Sequence, residues 1–576
     1  MIDRLLFFLC VTLSVSAAAQ SPLILQNINV IDVTSGQVVP NQTIIIRDSV
    51  IQQIAKADSA SLPEGATVID GTGQYALPGL IDTHIHFFQT GGLYTRPDVI
   101  DLRDTVPYVQ EIARAQQLVP DHFRRYLRQG VTTVVDVGGP FYNFTIRDSV
   151  AQQSVAPNVL VTGPLFSTYQ PKELTTDDPP IVRVTTVAAA DSLFQRMLPY
   201  RPDLIKVWYI VTPEFPAEAT FPMVQHIGEL ARQAGLPLAV HATQRRTAQL
   251  AVEAGADVLV HSVNDSLISD SLAQLLKERE VTYVPTLLVS GNYGEVRLAE
   301  PDHHPQDLRW GNPSVYGSLS DLEGYEASEL PKGLINLRER PAAYRAYLQR
   351  SDSIMAANLR TLTRAGVNVA VGTDAGNIGT LHAASYRQEL AAMQVAGLRP
   401  AEILRAATLN AATGFRRQEQ LGTLEEGKLA DLLILTHNPL ERLDYLDSLI
   451  YVVKSGQLLS VDTLVTESPE AVVQRQLNAY NARDLDAFLA TYADSVTLYD
   501  FPNQLVMEGT SEMRSRYRAL FEEVPNLYAQ IKNRIVLGNK VIDQEYVRVG
   551  ERYVEAVAIY EVAGDKIARV TFVRAE

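Results

Sequence analysis

Cysteine is almost missing from this chain. Cys10 is the only one, and it lies in an apolar run close to the start. That run, Leu5 to Leu13, follows Arg4 and leads into Ser14-Val15-Ser16-Ala17-Ala18-Ala19-Gln20, the pattern of a secretory signal cut after Ala19. It is too short to span a bilayer as a helix. Phe7-Phe8-Leu9, just before Cys10, lacks the small residues that precede a lipidated cysteine. Removal of residues 1–19 is expected to leave a periplasmic or secreted chain with no thiol and no disulfide, held by packing alone. Positive charge is also short. The formal net charge is −16, and such a surface repels phosphate backbones and anionic headgroups, which excludes nucleic acid and acidic membranes as partners.

What is present suffices for more than one core. A length of 576 residues exceeds a single ordinary core, and 46% apolar with 20% charged residues describes a globular chain. After the signal, 23–33 and 42–54 alternate apolar and polar residues with β-branched enrichment, and 67–70 repeats the pattern before Gly71-Thr72-Gly73. From about 77 to 413, short apolar strands alternate with Ala- and Leu-rich helical stretches such as 224–234 and 247–254. The candidate strands are 80–86, 132–137, 159–162, 203–209, 237–241, 257–261, 281–285 and 367–374. Eight β/α units predict a (β/α)8 TIM barrel, whose chemistry sits at the C-terminal ends of the strands. The longest insertion, 286–351, follows the seventh strand and carries Tyr293, Trp310, Tyr316 and Tyr325, a candidate lid over the mouth. Segments 421–435 and 450–456 read as strands that rejoin the N-terminal unit in one composite β-sandwich. The expected division is 20–77 and 418–466 for the sandwich, 78–417 for the barrel, and 468–576 for a separate α+β domain.

Six residues stand out at one rim of that barrel. His84 and His86 are two apart on a strand, so both imidazoles project from one face and can chelate one ion. His241, His261 and Asp374 each end a later strand. Lys206 interrupts the apolar strand Ile205-Lys206-Val207-Trp208, where an uncompensated ammonium is costly and needs a partner or a change of charge. Tyr209, Tyr293 and His382 are candidate substrate contacts. His122 and His226 fall in helices and His303, His304 and His437 in loop or sandwich segments; all five read as structural or solvated.

Leu77-Pro78-Gly79-Leu80-Ile81-Asp82-Thr83-His84-Ile85-His86 resembles the first-strand signature of the amidohydrolase superfamily. Val371-Gly372-Thr373-Asp374-Ala375-Gly376 is similar to its last-strand signature, and Gly427-Lys428-Leu429-Ala430-Asp431-Leu432 to its return to the sandwich. Within it, the chain is most similar to the imidazolonepropionase-related and Xaa-Pro dipeptidase-like branch. That resemblance implies two divalent ions, Zn2+ by donor type, bridged by a carboxylated Lys206. His84, His86 and Asp374 would complete one site, and His241 with His261 the other, with Asp374 as catalytic proton carrier. The implied activity is cleavage of amide bonds in small peptides or N-acyl amino acids. Lys206 is followed by Val-Trp-Tyr-Ile-Val-Thr-Pro rather than a glycine-rich segment, so Xaa-Pro specificity does not follow from the resemblance. The alternatives are a one-metal deaminase or cyclic-amide hydrolase, and a small-ligand scaffold acting through the C-terminal domain.

Residues 468–576 resemble the SnoaL-like, nuclear-transport-factor-2-like fold, with Asp484-Leu485-Asp486-Ala487-Phe488-Leu489 near its opening. Asp500 is placed near a candidate pocket there. An exposed sheet in this domain would suit a homodimer.

Overall fold

The computed structural model describes residues 21–574 apart from 58–62, 152, 154 and 301. The signal segment and Cys10 lie outside the described residues. Among those described, no helix is long and apolar enough to cross a membrane.

Strands from both flanks meet in one eight-stranded mixed sheet. Leu23–Asp32, Gln37–Arg47, Val50–Lys56, Thr67–Asp70 and Tyr75–Pro78 come from the N-terminal flank; Leu432–Leu435, Leu449–Lys454 and Gln457–Ser460 come from beyond the barrel. The join is an antiparallel pairing in which Leu433 faces Leu77 and Ile434 faces Ala76. Period-two alternation then sorts the side chains. Leu25, Ile44, Leu432 and Ile434 fill a core internal to the sheet, while their neighbours Leu77, Leu433 and Leu435 pack towards the barrel helix Tyr108–Arg128 through Phe123 and Leu127.

We number the barrel strands β1 (Leu80–Ile85), β2 (Val131–Asp136), β3 (Asn158–Val161), β4 (Ile205–Trp208), β5 (Leu238–His241), β6 (Val258–Val260), β7 (Thr282–Val284) and β8 (Asn368–Val369). Parallel pairing runs from β1 through β3 and from β4 through β8. Two hydrogen bonds across β1 and the β8 segment bring the ends together: Thr83 N–H donates to Val371 O (3.0 Å) and Asp374 N–H to His84 O (2.7 Å). Between β3 and β4 the tie is Asp203 N–H to Val161 O, 2.9 Å. Two short strands that sequence alternation does not reveal, Leu165–Ser167 and Ile181–Arg183, extend the loop after β3 and lie beside β4.

The last strand is shorter than its apolar pattern predicts. Regular pairing stops at Val369, and Asp374 sits beyond it at φ +62°, a left-handed conformation that costs a non-glycine residue energy and turns the carboxylate inward. His261 lies one residue past β6, at φ +74°. The glycines beside Asp374 are steric requirements. A Cβ on Gly372 would stand 2.5 Å from Val284 and 2.8 Å from the Cβ of His84, and one on Gly376 2.5 Å from His86 O.

The insertion after β7 folds as helices, among them Val289–Leu298, Pro305–Trp310, Pro313–Ser318 and Lys332–Glu339, before the long Pro341–Ala365. Its first part walls the barrel mouth. Its middle docks the C-terminal domain, which pairs a six-stranded sheet with the helices Pro469–Ala482, Leu485–Leu489 and Thr510–Glu523. The first two of these helices are separated at Arg483, φ +54°. Arg475 reaches Leu308 O and Gly311 O (3.1 Å), Asn478 donates to Pro313 O (2.8 Å), and Tyr528 OH to Ser320 O (3.2 Å). Trp310 therefore belongs to the junction, lying under the guanidiniums of Arg128 and Arg309, and Tyr316 packs there with Leu308 and Val315.

Candidate metal centre

A cavity of about 410 Å3 opens at the C-terminal ends of the barrel strands. His86, Lys206, His241, His261 and Asp374 line it, and His84 lies buried immediately behind. His84 Nε2 stands 3.3 Å from His86 Nε2, and Asp374 Oδ1 is 3.3 Å from the first and 3.1 Å from the second. His86 donates its Nδ1–H to Gly138 O (2.7 Å), which leaves the Nε2 lone pair facing the group. Burial first, then Lys206 and the neighbouring histidines, push His84 well below the usual imidazole range, which favours the neutral ring with one free lone pair. Asp374 Oδ1 is buried without a hydrogen-bond donor.

Three electron-pair donors converging at these distances would repel one another. A cation resolves this. A tetrahedral ion with ligands at about 2.1 Å spaces its ligand atoms by roughly 3.4 Å, close to the separations here. The residues therefore fit a divalent metal, and His84, His86 and Asp374 would hold it.

The second group lies against the first. The rings of His241 and His261 are 4.4 Å apart, and those of His84 and His261 4.7 Å apart. Thr286 Oγ1, 2.9 Å from His261 Nδ1, orients that ring, while His241 Nδ1 is buried with no partner. Burial, Lys206 and Arg96 bring His241 down to about 3. Lys206 is 2% exposed and makes no ion pair within 4 Å among the described residues. Burial lowers it to about 7, with Asp374 opposing the shift.

Several acids that the sequence reading passed over brace this centre. Asp82 accepts from Thr373 Oγ1 (2.7 Å) and Thr373 N–H (3.1 Å), tying β1 to the Asp374 segment, and burial raises it to about 7. Asp136 accepts from Asn143 and Gly138 N–H beside His86. Glu389 accepts from Leu287 and Leu288 N–H, fixing the chain just after β7.

Of the candidate substrate contacts, Tyr293 lines the cavity, and its hydroxyl donates to Asn377 Oδ1 (2.6 Å). Tyr209 does not: its hydroxyl points away and donates to Ala217 O (2.5 Å). The lining residue of that strand is Trp208, two positions from Lys206 and so on the same face. His382 also lies outside the lining. It donates Nε2–H to Gln89 O (2.9 Å), accepts from Tyr126 OH (3.0 Å) and packs on His122, which is buried rather than solvated.

The C-terminal domain encloses a second cavity of about 320 Å3, lined by Tyr480, Tyr492, Tyr517, Tyr560 and Glu545. Asp500 is not in it. It ends its strand at the surface, one-third exposed, 3.4 Å from Arg574. The acid facing this cavity is Glu545, which accepts from Tyr560 OH at 2.7 Å.

Comparison with known proteins agrees with this architecture. Residues 473–570 match the SnoaL-like domain. Imidazolonepropionase of Geobacillus sp. (strain WCH70) is 25% identical over 460 residues, covering 74% of this chain and 89% of that protein. A Xaa-Pro dipeptidase with bound methionine superposes with a TM-score of 0.57 at 22% identity, over 76% of this chain and 100% of that one. Ochratoxinase of A. niger gives 0.56 at 20%, over 77% and 96%. At these identities the two structures attest the fold alone. The match that decides the family runs over residues 75–459, from the last N-terminal sandwich strand through the barrel to the end of the sheet: the chain belongs to the Amidohydrolase family.

Proposed function

We propose that this hydrolase is an exported, metal-dependent enzyme cleaving amide bonds of small peptides or N-acyl amino acids, with two divalent ions bridged by a carboxylated Lys206. The observation that carries this reading is the placement of Lys206. It is a buried lysine with no ion pair among the described residues, sharing one cavity with His86 and Asp374 of the three-ligand group and with His241 and His261. An uncharged lysine amine adds carbon dioxide with loss of one proton, and the resulting carbamate supplies two oxygens and a negative charge where His84, His86 and Asp374 face His241 and His261. Imidazole and carboxylate donors suit zinc. When bound, the ions would polarise the scissile carbonyl and bring a water to nucleophilic form near neutral pH.

The chain's own residues do the rest. Asp374, held inward by its backbone conformation, takes the nucleophile's proton and returns it to the leaving nitrogen. Asn377 steadies the Asp374 backbone by donating to its carbonyl oxygen at 3.1 Å. Trp208 and Phe88 supply apolar wall that keeps bulk water from the reacting atoms.

Elemental mass spectrometry on wild type and Lys206→Ala tests the bridge. Two metals per chain are expected, falling to one or none in the variant. One metal, unaffected by the substitution, overturns it and brings deaminase or cyclic-amide chemistry forward. Products separate these: two fragments for amide hydrolysis, ammonia for deamination. N-terminal sequencing of the exported chain is expected to start at Gln20.

A further inference from the structure

We propose that Arg297 is the anion-binding residue of the barrel cavity, and that the substrate carries a carboxylate. This rests on the hydrolase reading and names the substrate class of the same site.

Three cationic side chains line the cavity: Lys206, Arg96 and Arg297. Lys206 lies among the metal ligands. Arg96 is spent. Its Nε and Nη2 clamp Asp98 at 2.7 and 2.6 Å, and its Nη1 donates to Asn377 Oδ1 (2.7 Å) and Tyr293 OH (3.2 Å). Arg297 differs. Among the described residues it has no carboxylate within 4 Å, and its Nε is buried with no acceptor. Tyr344 holds it in place: the hydroxyl accepts from Nη1 at 3.2 Å, and the ring lies 5.2 Å from the guanidinium carbon. Its backbone carbonyl is fixed by Arg338 Nε at 2.9 Å. A guanidinium anchored through one nitrogen, with another donor unspent, is preset for a planar two-oxygen acceptor.

Its position fits the reacting end. Tyr293 and Arg297 are four residues apart on Val289–Leu298, so they share a face. Tyr293 touches Asn377, which touches Asp374. Arg297 therefore stands about one helical turn, roughly 5–6 Å, further along the wall than Tyr293. Val289, Tyr347, Leu348 and Met355 supply apolar surface in the same cavity. A substrate with its amide at the ligands and an apolar body on this wall would place an anionic end at Arg297. In a chain of net charge −16 a carboxylate needs such a local cation to enter.

The carboxylate belongs either to the amine half, as in an N-acyl amino acid, or to the acyl half, as in an N-succinyl amine. Calorimetry on the metal-loaded full chain separates them. The probes are N-acetyl-L-phenylalanine against its amide, and N-succinylbenzylamine against its amide. Wild type is expected to prefer the carboxylate member of one pair at least tenfold. Arg297→Met should abolish that preference and Arg297→Lys retain part of it, with metal content and Tm unchanged in both. Absence of a preference in either pair, or its survival in Arg297→Met, overturns the proposal. Product release is followed in parallel. Preference without hydrolysis leaves the Arg297 assignment and sinks the hydrolase reading; hydrolysis without preference does the reverse.

Discussion

The barrel cavity and the C-terminal cavity are similar in size, about 410 and 320 Å3, and both bury ionisable groups among aromatic rings. Burial acts on them in the same way, by disfavouring charge, yet the outcome is opposite because the residues differ. In the barrel a buried lysine and buried histidines stand beside the carboxylate of Asp374. Desolvation disfavours the charged forms of these bases, bringing Lys206 to about 7 and His241 to about 3. In the C-terminal domain the buried groups are acids. Desolvation keeps the proton on Glu545, raised to about 7, and on Tyr560, raised well above the usual phenol range. One cavity is an array of electron-pair donors suited to a cation. The other is an array of hydroxyls suited to hydrogen-bonding a neutral molecule.

The sharpest way to break this contrast is to remove the charge at the centre of the first array. Asp374→Asn keeps the shape and withdraws the negative charge proposed to hold metal and carry the proton. Turnover is expected to fall by about 10^3-fold or more, since a positioned acid–base group alone contributes about 10^2 to 10^4. Steady-state kinetics with parallel metal analysis checks it. A variant that keeps its ions and near-wild-type turnover would remove Asp374 from the chemistry. The same exchange made in the second cavity, Glu545→Gln, should leave turnover at the barrel unchanged.

The two regions are also joined, and the join can be tested next. Glu467 lies between two guanidiniums: Arg125 Nη2 contacts its oxygens at 3.1 and 3.2 Å, and Arg475 contacts one of them. Arg125 belongs to a barrel helix and Arg475 to the first helix of the C-terminal domain, and both also donate to Gly311 O of the insertion. Glu467→Gln leaves two largely buried cations facing a neutral amide. Breaking such a group costs about 3–5 kcal/mol. A lower thermal midpoint is expected, with metal content unchanged. An unaltered midpoint would mean that the domains are tethered without supporting one another.

Much of the barrel site was legible because strand periodicity and strand ends locate side chains. His84 and His86 share a face by the period of two, and His241, His261 and Asp374 end apolar runs. The same rule, applied strictly, would have chosen Trp208 over Tyr209, since Trp208 shares the face of Lys206. Asp82 and Asp136 escaped notice because their strands are buried on both sides, so no polar–apolar alternation sets them apart. Arg96, Asn377 and Arg297 lie on loops and on the insertion, whose course depends on tertiary packing rather than on any repeat. Asp500, placed near a candidate pocket by the resemblance, ends its strand outside the C-terminal cavity, whereas the acid that faces it, Glu545, sits on a strand the sequence offers as one of several equivalents.

The smallest expected effect concerns Glu545 itself, and it turns on sign. Burial lifts this carboxyl from 4.5 to about 7, outweighing the hydrogen bond from Tyr560. Between those two pH values the folded chain holds a proton that the unfolded chain has released. Stability from this group is therefore fully present below about 4.5 and is lost as pH rises through about 7. The loss is on the order of 1–3 kcal/mol, taking about 1.4 kcal/mol per pH unit as the ceiling. Glu545→Gln keeps a neutral hydrogen-bonding group at every pH, so the difference in midpoint between variant and wild type should be small near pH 4.5 and grow in the variant's favour up to about pH 7. Other carboxyls titrate equally in both proteins and cancel in that difference. A difference that is flat across the range would mean Glu545 ionises freely in the folded chain, and the second cavity would then be an anionic site rather than a neutral one.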